Sequence, residues 1–352
     1  MTEPPFKGRG APGNPTGRFE RLALELEPED WPDPDERRDA GRTECYRDTT
    51  KSILTRNDSP DVPMDVTVNP YRGCEHGCIY CYARPYHEYL GLSAGLDFER
   101  KIFVKTDAPA LLRAELESPK WSPAYIGLSG VTDPYQPIER SFRLTRGCLE
   151  VLAEFRNPVA VITKNHLVTR DIDVLRALAE VQAAQVFLSI TTLDEGLANV
   201  MEPRASTPTR RLDAVRALAD AGIPVGVMVA PIIPGLTDHE VPAILEASAQ
   251  AGAFTAGHTV VRLPHGVKDL FAEWLTVHAP QRREKVLNRI RSLRDGALND
   301  STFGARMVGH GPFADAIHQM FDLHRRKFGL TGKRPMSTAA FRRPGGIQAS
   351  LF

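Results

Sequence analysis

From Met64 to Leu263, short β-branched runs alternate with amphipathic helical stretches. This alternation restricts the fold more than any other feature of the chain. The strand candidates are 66–68, 102–105, 125–129, 159–163, 186–190, 225–230 and 258–263. Helix candidates lie between them at 110–116, 144–155, 171–181, 210–221 and 241–251. Thr169 is placed to cap the helix near Arg170, and Thr207-Pro208-Thr209 is a start signal for the one near Arg210. Strands alternating with helices imply parallel strands joined by right-handed crossovers. Six such units make an α/β fold of the partial (β/α)6 barrel kind, with 102–105 as a surplus strand. After Pro264 the strand signal stops. Three helical stretches follow, 268–277, 280–294 and 313–328, and are expected to cap the open side of the barrel. Four regions result. Residues 1–60 form a polar, partly disordered extension, 61–265 the barrel, 266–330 a helical extension, and 331–352 a basic flexible tail.

Cys74, Cys78 and Cys81 stand in the run Gly73-Cys74-Glu75-His76-Gly77-Cys78-Ile79-Tyr80-Cys81-Tyr82. Three thiolates at this spacing can hold three irons of a [4Fe-4S] cube and leave the fourth iron open to a substrate or cofactor. A structural zinc site competes with this reading, because His76 or His87 could complete a tetrahedron. Disulfides fit worse. The five cysteines are few and odd in number, and no secretory signal precedes them. No segment approaches the ~20 apolar residues of a membrane span, so a cytoplasmic location is expected.

The cysteine motif closely resembles that of the radical S-adenosylmethionine (SAM) enzymes. That resemblance implies a barrel of the same kind, a [4Fe-4S] cluster, and SAM bound at the open iron. It also implies reductive cleavage of SAM to a 5′-deoxyadenosyl radical, and an electron donor. Ligands of parallel α/β barrels bind at the C-terminal strand ends. Several residues there suit SAM. Lys164 suits its carboxylate, and Ser129 and Ser189 its amine or ribose. The backbone beside Tyr80 suits the adenine edge, the segment from Ala230 through Ile232 the face of the base, and Asp133 the same polar set.

Within these enzymes the chain looks most like the spore photoproduct lyase branch. The carrying pieces are Asn69 through Ala83, Ser129 through Glu139, Ile162-Thr163-Lys164, Phe187 through Ile190, Glu202-Pro203-Arg204-Ala205 and Arg262-Leu263-Pro264. Lyases of that branch abstract hydrogen from a thymine dimer in DNA and carry a hydrogen-donor cysteine shortly before the aspartate matching Asp133. Here that stretch is Ser129-Gly130-Val131-Thr132-Asp133, without a cysteine. Cys148 lies farther on, in a helical pattern with Leu144, Leu149 and Leu152, and reads as core.

Net charge is zero, yet Arg282 to Phe352 holds fourteen Lys and Arg against five Asp and Glu. A basic end suits a polyanion such as DNA. The chain ends Gln348-Ala349-Ser350-Leu351-Phe352, very similar to the peptide by which bacterial replication and repair proteins dock on the sliding clamp. Leu351 and Phe352 would fill an apolar cleft, with Gln348 bonding at its rim. Three readings compete. They are a radical SAM enzyme acting on DNA, one modifying RNA, a protein or a small molecule, and a non-catalytic DNA-associated protein holding zinc or an iron–sulfur cluster.

Overall fold

The computed structural model describes residues 8–19, 42–62 and 64–344; the other residues are left aside. The terminal peptide containing Gln348, Leu351 and Phe352 lies outside the described residues.

The described residues form ten strands: β1 (Glu44–Arg47), β2 (Leu54–Arg56), β3 (Val66–Val68), β4 (Tyr71–Arg72), β5 (Lys101–Val104), β6 (Ile126–Leu128), β7 (Val159–Thr163), β8 (Ala184–Ser189), β9 (Val225–Ile232) and β10 (Thr255–Val260). Seven form one sheet in the order β10-β9-β8-β7-β6-β3-β2. The run from β3 through β10 is parallel throughout, which gives the expected six-stranded partial barrel. β2 closes one edge antiparallel to β3. The surplus strand, β5, sits in a second sheet ordered β1-β5-β4.

The parallel strands bury one face fully in the core, and several positions of the other face are half-buried. Val66, Val68, Ile126, Leu128, Val159, Val161, Val186, Leu188, Val225 and Val227 all lie in the main core. Leu144–Phe155 turns Leu149, Leu152 and Phe155 onto them. Thr207 caps Pro208–Asp220 as expected, its side chain accepting from the Arg210 amide. Thr169 does not cap. Its hydroxyl bonds the His166 carbonyl, while Asn165 caps the preceding 3-10 turn, whose interposition moves the helix start to Ile172. Of the three late helices, Val267–His278 and Arg283–Ser292 share an apolar cluster with Cys78, Ile79 and Tyr80 of the cysteine loop. The third, Pro312–Lys327, joins the main core through Ile317 and Phe321 instead.

Two expectations about the ends need correction. Residues 8–19 are not a loose extension, because Arg9 and Ala11 are buried against the barrel. Residues 42–60 contribute β1 and β2. The described part of the tail is not free either. Its residues cross the side of the barrel where the strands begin. The Ser337 amide bonds the Gln182 carbonyl at 2.8 Å, and the Arg342 amide bonds the Phe155 carbonyl at 2.9 Å. Tyr125 donates to the Met336 carbonyl at 2.7 Å, and Arg343 reaches the Trp121 carbonyl at 2.8 Å. Paired carbonyls account for this order, since the pre-strand segments leave acceptors that the tail fills. Among the described residues no helix is long and apolar enough to cross a membrane.

His258 on β10 lies 2.8 Å from His318 and packs its ring on Phe321 at 4.2 Å. Burial pushes its pKa down from 6.5 to about 4; His318 and Arg325 act in the same direction and Asp322 opposes them. Between those values the unfolded chain takes up a proton that the folded chain refuses. Stability is therefore full above about pH 6.5 and falls as pH drops toward about 4, by at most about 3 kcal/mol from this ring. Urea unfolding across that window should show a smaller pH slope for His258→Leu than for the unaltered chain. Equal slopes would remove this histidine as a source of acid sensitivity.

Candidate iron–sulfur and cofactor site

The cysteine loop begins at the C-terminal end of β3, as the barrel rule requires. β4 then pairs antiparallel with β5, which steers the chain across the mouth. The loop makes little regular structure, so other groups must satisfy its backbone. The Cys74 amide bonds the Phe98 carbonyl at 2.9 Å, and the Ile79 amide the Met201 carbonyl at 3.0 Å. Arg84 donates to the carbonyls of Gly77 (3.1 Å), Cys78 (3.0 Å), Ala94 (3.1 Å) and Gly95 (3.0 Å). Its guanidinium pairs with Glu99 at 2.5 Å, both side chains fully buried. Glu99 in turn accepts from the amides of Gly10 (2.9 Å) and Ala11 (2.8 Å). A Cβ on Gly10 would lie 1.8 Å from the Gly77 carbonyl oxygen, so only glycine admits this contact.

Cys74 and Cys78 are buried and Cys81 is half-buried; none is in a disulfide. Burial pushes all three thiols up. Asp133 adds to this at Cys74, and Glu202 at Cys78. Thiols held protonated in a dry loop need a strong local positive charge to ionise, which a metal centre supplies. Three cysteines are the donor set of a cluster with one open iron, and the residues present fit it. Among the described residues no three His, Cys, Asp or Glu side chains converge as a single-ion site demands. The corners of a cube do not need that convergence, since each thiolate meets a different iron. Both histidines that zinc would recruit are also committed elsewhere. His76 lies between Asp133 (3.3 Å) and Asn165 (3.2 Å). His87 bonds the Lys101 carbonyl at 3.0 Å, against Phe98 and Phe103.

The residues expected to meet SAM fall into three groups. Tyr80, Lys164 and Ala230 come together. The Lys164 ammonium bonds the Ala230 carbonyl at 2.9 Å and Thr191 at 3.1 Å, lies 3.2 Å from Glu202, and stands 5.7 Å from the centre of the Tyr80 ring. The Tyr80 hydroxyl donates to Glu202, which is also paired with Arg211. Burial opposes ionisation of Glu202, but Arg211 and Lys164 outweigh it and hold the carboxyl well below the usual range. Sequence reasoning does not single out Glu202 or Arg211: Glu202 stands only within a motif of the resemblance, and Arg211 looks like any helix-face arginine until the fold buries it.

Asp133 and Ser129 belong to a tie beneath the loop. Asp133 accepts from Thr163 (2.7 Å) and from the amides of Lys164 (2.8 Å) and Tyr135 (2.8 Å). Its carboxyl lies low despite burial, held by His76 and these donors. Ser129 donates to the Thr132 carbonyl at 3.2 Å; Thr132 and Gln136 then bond the Gly73 carbonyl at 2.6 and 3.3 Å. Ser189 and Ile232 form the third group. Ser189 ends β8 and its carbonyl accepts from Arg211 at 3.0 Å. Ile232 is fully buried in the main core.

Beside the loop opens a cavity of about 240 Å³, lined by Arg18, Tyr82, Pro85, Tyr86, Tyr89, Arg262, Pro264, His265, Asn299, Asp300, Ser301 and Arg306. Tyr82 directly follows Cys81. Of the ten large apolar or aromatic side chains that are exposed among the described residues, Phe19, Tyr82, Tyr86, Tyr89 and Phe303 belong to this mouth or to the arginines around it. Such a concentration is the mark of a binding surface. Sequence reasoning missed it, because its residues come from four separate segments.

A parallel partial barrel with a three-thiol loop at its strand ends defines a class of cofactor-dependent α/β enzymes. The Radical SAM superfamily pattern matches residues 68–248, and the chain belongs to that superfamily. It therefore uses a [4Fe-4S] cluster and S-adenosylmethionine, and such enzymes require an electron donor; the non-catalytic reading gives way. An uncharacterized protein of Mycobacterium tuberculosis is 37% identical over 236 residues, 66% of this chain and 68% of that one. A radical SAM Nalpha-GlyT isomerase of a Pseudomonas phage is 24% identical over 273 residues, 76% of this chain and 52% of that one. The fold is similar to a spore photoproduct lyase variant with bound AdoMet and dinucleoside spore photoproduct. The TM-score is 0.57 at 16% identity, over 89% of this chain and 86% of that one.

When bound, the cluster and SAM supply one-electron chemistry. This chain's residues set the stage for it. Cys74, Cys78 and Cys81 are the residues that would hold the cluster, and Arg84 with Glu99 fixes their loop. Glu202 fixes Lys164 and Tyr80 at the neighbouring strand ends. Replacing any one of the three cysteines with alanine should abolish iron loading, read as iron per chain after anaerobic reconstitution. Full loading in all three variants would refute the ligand assignment. Glu202→Ala should leave Arg211 and Lys164 uncompensated and cost about 3–5 kcal/mol of stability by denaturant unfolding.

Proposed function

We propose that this enzyme acts on DNA, repairing a lesion or modifying a base, by generating a 5′-deoxyadenosyl radical from SAM. One observation carries the reading. The mouth beside Cys81 combines three exposed tyrosines with Arg262, whose guanidinium contacts no carboxylate among the described residues, while Arg18 and Arg306 are paired with Glu88 and Asp61. Guanidinium groups suit phosphates and aromatic rings suit unstacked bases, so the pair is the usual equipment for nucleic acid strands. A small apolar metabolite would not call for the guanidinium.

The spore photoproduct lyase likeness is one of fold, and this chain departs from that branch at Ser129–Asp133 by lacking a cysteine. Cys148 does not take its place, since it is wholly buried in the main core. The reaction proposed is therefore one in which hydrogen return, if needed, comes from a group other than Cys148.

Anaerobic reconstitution with SAM and a reductant tests the proposal. Release of 5′-deoxyadenosine should rise several-fold when damaged or modified DNA is added. A rate indifferent to every DNA tried, yet raised by RNA or a peptide, would reject DNA as substrate.

Clamp docking through Gln348, Leu351 and Phe352 is part of the same proposal, and would bring the enzyme to replicated or repaired DNA. Deleting residues 348–352 should abolish co-purification with a bacterial sliding clamp while leaving SAM cleavage intact. Equal capture by the full and shortened chains would defeat it.

A further inference from the structure

The arginines of the mouth are not equivalent. Arg18 pairs with Glu88 at 2.5 Å and Arg306 with Asp61 at 2.5 Å. Arg262 has no such partner among the described residues. Its guanidinium lies 4.5 Å from the centre of the Tyr82 ring and 3.9 Å from the Met307 sulfur. Burial lowers its pKa, the direction expected for a cation drawn from water without a contacting anion. A cation over an aromatic face is stabilised by about 0.5–2 kcal/mol, less than a bidentate anion contact supplies. The two remaining tyrosines, Tyr86 and Tyr89, stand at the outer rim, 53% and 68% exposed, with ring centres 6.3 Å apart. Rims that expose aromatic faces next to an unpaired guanidinium suit a ligand with one anionic and one flat apolar end.

We infer that this cleft takes one unpaired nucleotide of a DNA strand, its phosphate on Arg262 and its base on the Tyr86–Tyr89 rim. The inference rests on the reading of DNA as substrate and says in what form DNA enters. The cavity, about 240 Å³, lies below the ordinary range of about 300–1,000 Å³ for ligand pockets. That volume suits one nucleoside-sized group. Enzymes that act on a base inside a duplex extrude it or use single strands. Tyr82 follows Cys81 directly, and its hydroxyl is fixed on the Gly130 carbonyl at 2.6 Å, so the anchored phosphate sits next to the cysteine loop. Arg18 and Arg306, already neutralised, serve as walls, and Phe19 backs Tyr89 at 5.2 Å.

The test is fluorescence anisotropy on the full, iron-loaded chain. The probes are a labelled short DNA single strand, the same sequence as duplex, and its RNA counterpart. The single strand should bind at least about ten-fold tighter than the duplex. Tyr89→Ala should weaken single-strand binding about five-fold or more, the loss of one stacking contact. Arg262→Gln should weaken it about ten-fold and reduce the salt slope by about one. SAM affinity and iron content are measured alongside. Loss of SAM affinity in Arg262→Gln would assign the guanidinium to the cofactor and overturn the inference. Equal binding of duplex and single strand, or loss from neither variant, would overturn it while leaving DNA as substrate. Failure of all DNA probes with tight RNA binding would instead sink the DNA reading beneath it.

Discussion

The buried ion pair between Arg84 and Glu99 is the contact on which the site depends. Neither side chain is exposed to water. Such a pair adds little net stability on its own, because desolvation offsets the attraction; removing one partner is what costs about 3–5 kcal/mol. Its value here is geometric. Arg84 gathers four backbone carbonyls from two segments, and Glu99 gathers two amides from a third. Three stretches of irregular chain thereby acquire one fixed shape. The loop that carries the three thiols has little regular secondary structure of its own to hold its shape. The polar network does so in its place, with nearly every donor matched.

A second buried network repeats the principle on the other side of the mouth. Glu202 is held ionised between Arg211 and Lys164, against the pull of burial. Its hydrogen bonds reach Tyr80 and Thr191. Lys164 is thus a committed cation, bonded to the Ala230 carbonyl as well as to the acid. An incoming carboxylate would meet an ammonium whose charge is already partly balanced, so Lys164 tunes the pocket more than it fills it.

The barrel was legible in the sequence because each of its parts announces itself locally. β7 is Val159–Thr163 and the helix at Leu144–Phe155 begins and ends where the apolar pattern does. The cysteine trio was legible for the same reason, being contiguous. Long-range pairing was not. Nothing in Phe98-Glu99-Arg100 signals that Glu99 will meet Gly10 and Arg84, and nothing near Arg18 or Arg306 signals a shared mouth with Tyr89. Asp133 is a different case. A strand-end carboxylate resembles a ligand in sequence, yet three hydrogen bonds from its own neighbours occupy it. Polar residues at strand ends serve either the cofactor or the loops that surround it, and only three-dimensional bonding separates the two.

The ends of the chain divide between the faces of the barrel, and that division carries a functional consequence. The described N-terminal residues sit on the functional face, with Gly10 against the cysteine loop and Arg18 in the mouth. The described C-terminal residues sit where the strands begin, holding the carbonyls of Gln182, Phe155 and Trp121. In α/β barrels the first face carries chemistry and the second stability. The basic residues Arg342 and Arg343 are accordingly bonded to carbonyls of the barrel, and charge in that part of the tail does not argue for a DNA surface. The argument for DNA moves to the mouth, where cations and aromatic faces coincide.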